Sequence, residues 1–105
     1  MSQFAQNLLP RIKLRLRETS TEFDDEIMDY IDASAQNLKV AGVLPKYFAD
    51  SLTLATVDSQ ILMAIGTYCL AKFGLYNSDS EKYEKSYASI KATLCTNQLY
   101  ISEGK

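Results

Sequence analysis

The chain has 105 residues, 47% hydrophobic and 23% charged, with a net charge of −2. That is the size and make-up of one globular domain with a single core, and it lacks the basic surplus usual in a free-standing nucleic-acid binder. Histidine is absent and the two cysteines, Cys69 and Cys95, form no CxxC pair, which removes the commonest general base and the usual zinc spacings.

In chain order, MSQFAQNLLP lacks the basic start and long apolar run of a secretory leader. No window reaches the roughly 18 apolar residues of a membrane span. From Asn7 to Arg17 two periods compete. Leu8, Leu9, Ile12 and Leu16 share a helical face, with Pro10 tolerable in a first turn, whereas Ile12, Leu14 and Leu16 alternate with charges as in a half-buried strand. Helix is the expectation, because no partner strand follows and a lone strand is unstable.

Thr19, Ser20 and Thr21 offer N-cap oxygens before Glu22, Asp24, Asp25 and Glu26, whose charges suit the positive end of a helix. Phe23, Ile27, Tyr30, Ile31, Ser34, Leu38 and Ala41 continue the helical spacing to a C-cap at Gly42, predicting a helix over 22–41. The stretch GVLPKYFADSLTLAT is a long connection, with a helical turn expected between Lys46 and Ser51. A third helix, capped by Thr56 or Asp58 and stopped at Gly74, is apolar around most of its circumference and should be the central one. After GLYNSDS, with Ser78 and Glu81 in capping-box register, a fourth helix over 80–96 aligns Tyr83, Tyr87, Ile90 and Leu94. Residues 97–105 read as a loose tail. The expected fold is all-α: one domain over 1–105, a compact bundle of about four helices.

No nucleophile elbow, phosphate loop or dinucleotide fingerprint occurs, so no enzyme activity, cofactor or metal site is expected. Asp25, Asp29 and Asp32 recur on one helical face, but the histidine that accompanies bundle di-metal carboxylates is missing. They read as a solvated face. Arg11 and Arg15 form one short row and Lys13 and Arg17 another, read as loose pairs with the acids across the Thr19–Thr21 corner. Of the seven tyrosines, Tyr30, Tyr68, Tyr83 and Tyr87 fall on apolar stripes. Tyr47 with Phe48, Tyr76 and Tyr100 have no local helix pattern to account for them and are the candidate docking aromatics.

Four stretches in order, IKLRLRE, FDDEIMDYIDASAQNLKVAGV, DSQILMAIGTYCLAKFG and SEKYEKSYASIKATL, with the late Tyr100, resemble the small phage head–tail connector (head-completion or adaptor) proteins. The resemblance runs from about Ile12 to Tyr100. It implies a structural protein that joins about a dozen copies of itself into a ring beneath the portal protein. Such a ring extends the channel for passing DNA and receives a downstream head-completion or tail protein; its place is the virion, and the host cytoplasm during assembly. In that setting Asp25, Asp29 and Asp32 would face the lumen or a neighbouring subunit, and Arg11, Arg15 and Arg17 would meet a neighbour's acids. The alternative is a small helical regulatory module that binds DNA or another protein.

Overall fold

The computed structural model describes residues 2–73 and 79–102, all helix, turn and loop with no strand among them. Five α-helices follow in order: α1 (Gln3–Leu16), α2 (Asp24–Val40), α3 (Ser59–Lys72), α4 (Ser80–Thr96) and the short α5 (Gln98–Ile101). A 3-10 turn over Pro45–Phe48 lies in the α2–α3 connection.

The N-terminal segment is helical, and it starts earlier than its sequence pattern suggests. Ser2 is the N-cap: its hydroxyl accepts from the Ala5 amide at 3.0 Å and donates to Asp32. The Ser2 amide also donates to Asp32, at 3.2 Å, and the Phe4 amide donates to Asp50 at 3.0 Å. Two carboxylates from distant segments thus meet the positive end of α1. Because α1 begins at Gln3, Pro10 stands inside the helix rather than in its first turn. Pro10 and Gln6 are both exposed, so water can take the Gln6 carbonyl that proline leaves without its usual donor. α1 ends with Arg17 in the left-handed region (φ 58), where the Arg17 and Glu18 amides donate to Leu14 and Lys13 carbonyls. That is a Schellman closure on a residue other than glycine.

The α1–α2 corner departs from the expected cap. None of Thr19, Ser20 and Thr21 caps α2; its N-cap position is Phe23, with no side-chain cap bond. The Ser20 hydroxyl is used within the turn, accepting from the Glu22 amide at 2.9 Å. The corner is held instead by a Lys13–Asp24 ion pair at 2.7 Å and by Phe23, edge-on to Phe73 at 5.6 Å. At its other end α2 closes on Gly42 (φ 120), with Gly42 and Val43 donating to Lys39 and Leu38 carbonyls.

Asp58 is the cap of α3, accepting from the Gln60 and Ile61 amides. α3 packs against α1, α2 and α4. Its buried residues, among them Ile61, Ala64, Ile65 and Cys69, lie around most of the helix, as expected of a central element. They meet Phe4, Leu8 and Ile12 of α1, Ile27, Ile31 and Leu38 of α2, and Tyr87 and Leu94 of α4 in one core. α4 spans the expected residues; the expected stop at Gly74 and the Ser78 cap fall outside the described residues.

The largest departure is at the C-terminal end. Within residues 97–102, expected as part of a loose tail, the short helix α5 packs through Tyr100 and Ile101. Tyr100 is buried, its carbonyl accepts from the Leu44 amide at 2.8 Å, and Ile101 lies against Gly42. The polar look of NQLYISEGK hid an i, i+1 pair of apolar residues, Tyr100 and Ile101, that fits the hollow of the α2–α3 connection.

Candidate interaction surface

The corner between α1 and α2 sorts charges into two groups. On the last turns of α1, Arg11, Arg15 and Arg17 are exposed, and none forms a salt bridge among the described residues. The expected pairing across the corner is made by Lys13 with Asp24. Arg15 lies across α3 at Gly66, where an added Cβ would sit 3.2 Å from its Nη1. Leu14, between these arginines, is 74% exposed and borders a groove of about 370 Å³ that includes Leu9, Pro10 and Lys13.

The acids face solvent on the first turns of α2. Asp25 and Asp29 are exposed, as are Glu22 and Glu26, and Glu26 accepts from the Tyr30 hydroxyl at 2.9 Å. That bond and partial burial raise the Tyr30 pKa, burial being the larger cause. Asp32 does not share this freedom: it is half-buried and engaged at the N-cap of α1. The acidic row therefore offers Asp25 and Asp29, with Asp32 a structural anchor.

The candidate docking aromatics divide in the same way. Phe48 is buried, edge-on to Phe4 at 5.9 Å. Tyr100 is buried against Tyr47, ring centroids 5.0 Å apart, and donates its hydroxyl to the Asp58 carboxylate at 3.0 Å. Burial, and then the bond to Asp58, push the Tyr100 phenol up to about 12. Tyr47 is half-buried and donates to the Leu99 carbonyl at 2.7 Å. Phe48 and Tyr100 are therefore committed within the chain, and Tyr76 lies outside the described residues. Sequence reasoning placed these rings at an interface because their partners lie across long separations that no local period reveals.

Burial pushes the Cys69 thiol up to about 12 despite the opposing charge of Arg15, which favours the neutral thiol. Tyr87 is likewise raised to about 12 by burial, and its hydroxyl donates to Asn37 at 2.8 Å. Among the described residues no cluster of His, Cys, Asp or Glu is arranged to hold a metal ion, and no helix is long and apolar enough to cross a membrane.

The description "phage connector protein" belongs to a family model that matches residues 8–100, from the second turn of α1 to Tyr100. The chain belongs to the phage connector protein family. No curated protein and no solved structure gave a match. The matched span takes in the α1–α2 corner, α3, α4 and the buried tyrosine of α5, so the connector unit is the fold described above. Solvent-facing features of this family member include the arginine ridge around Leu14, the acids of α2, and the apolar side chains Phe23, Val40, Met63 and Leu99. Leu14 was missed as a surface residue, although the signal was present: once α1 is read as a helix, Leu14 falls off the Leu8–Ile12 stripe.

Proposed function

We propose that this chain is a head–tail connector subunit. It joins copies of itself into a ring beneath the portal, continues the DNA channel without sequence-specific contacts, and receives a downstream head-completion or tail protein. The observation that carries the reading is the family match over residues 8–100, which spans the four long helices. The surface supports it: three arginines and four carboxylates around one corner have no salt-bridge partners among the described residues, which suits repeated contacts between copies. The subunit would reside in the virion, having assembled in the host cytoplasm. Electron microscopy of the purified protein mixed with a portal protein from the same genome tests this. Rings seated on the portal are expected; portals that stay bare at high protein concentration would reject the proposal.

A further inference from the structure

Arg11, Leu14 and Arg17 on one side of the Lys13–Asp24 pair, and Glu22, Asp25, Glu26 and Asp29 on the other, make two dissimilar patches flanking one corner. The first has an apolar centre, Leu14 beside the exposed Pro10, flanked by Arg11 and Arg17, with Glu18 and the paired Asp24 across its groove. The second gathers the exposed carboxylates of Glu22, Asp25, Glu26 and Asp29. Within one chain the patches do not meet. We infer that they meet between chains: the Arg11–Leu14–Arg17 ridge of one copy docks on the Glu22–Asp25–Asp29 face of a second copy. This assignment rests on the self-assembly proposed above and supplies its contact surface.

Two features favour a second copy as the occupant. The charges are opposite, Arg11 and Arg17 against Glu22, Asp25, Glu26 and Asp29. Charge complementarity of this kind steers encounter and fixes register more than it supplies affinity, while the apolar centre excludes water. Finally, the patches differ and sit at the same corner. A contact between unlike patches, repeated from copy to copy, is heterologous and closes into a ring where the rotation allows.

The test uses the full chain with two double variants, Arg11→Glu/Arg17→Glu and Asp25→Lys/Asp29→Lys, each checked for retained helicity by circular dichroism. Assembly is read by sedimentation velocity, alone and with the portal as template. Each variant by itself should need on the order of a hundredfold more protein to assemble, because like charges now face each other. An equimolar mixture should assemble again, since the reversed ridge of one variant meets the reversed face of the other, and their native patches meet each other, in alternation. Raising salt from about 0.1 to 0.5 M should weaken the native assembly. Native protein that assembles while either variant assembles equally well would overturn the surface and leave the ring reading standing. Native protein that fails to associate even on the portal would overturn both. A closed dimer rescued by mixing would keep the surface and reject the ring. Loss of DNA retention in the arginine variant with assembly unchanged would assign those arginines to phosphate and overturn the inference.

Discussion

Replacing Tyr100 by phenylalanine removes one oxygen from the contact between α5 and the cap of α3 and leaves the ring in place. That oxygen donates to both carboxylate oxygens of Asp58, at 3.0 and 3.1 Å. A hydrogen bond to a charged group contributes about 1.5–3 kcal/mol. Asp58 keeps its two backbone donors and is half-buried, so water can replace the lost phenol and the lower end applies, about 1.5 kcal/mol. For a domain of this size each kcal/mol moves Tm by roughly 4–8 °C, which puts the Tyr100→Phe variant about 6–12 °C below wild type at neutral pH. The difference should depend on pH. The folded phenol is held at about 12 against an ordinary value near 10. Between those values the unfolded chain releases the proton and the folded one retains it, so this stabilisation is complete below about pH 10 and is lost as pH rises toward 12. Thermal unfolding of both proteins followed by circular dichroism from pH 7 to 12 should show the gap closing above pH 10. Equal Tm values at pH 7, or a gap that persists unchanged to pH 12, would refute the assignment of this bond.

Three further outcomes are expected. Gly42→Ala has room for its methyl group, 3.8 Å from Ile101, but not the backbone freedom for φ 120, so it should cost about 1–3 kcal/mol in urea denaturation with an unchanged m-value. Arg17→Gly relieves a left-handed residue at the end of α1 and should raise stability by up to about 1 kcal/mol, while weakening assembly through loss of a ridge cation. Asp50→Ala strips the Phe4 amide of its acceptor and should lower stability by about 1–2 kcal/mol, seen as faster amide exchange in the first turn of α1.

Periodicity was a sufficient guide where a helix buries a stripe. The limits of α4, the Asp58 cap, the Gly42 stop and the central place of α3 all follow from spacing and punctuation that can be read locally. The family resemblance, too, was carried by the order of those patterns, and the family match extends over the same span. What escaped were contacts between distant segments. Asp32 looked like a third member of a free acidic row because nothing in its own helix shows that Ser2 binds it. Phe48 and Tyr100 looked unattached because their partners, Phe4 and Asp58, are far away in sequence. The Thr19–Thr21 run misled for a related reason: the Ser20 hydroxyl serves the turn, while Lys13 and Phe73 reach the start of α2 from other helices.

The bond from Tyr100 to Asp58 joins residues 42 positions apart, with α3 and α4 both lying between them. Closing so long an interval early would sacrifice chain entropy before any return, whereas closing it after the two helices have docked adds little. The phenol should therefore engage downstream of the rate-limiting barrier, so that its removal accelerates escape from the native state and leaves the refolding limb of the chevron almost untouched. A subunit built this way reaches its shape at a speed governed by helices, and a late tyrosine bond lengthens its stay there roughly tenfold.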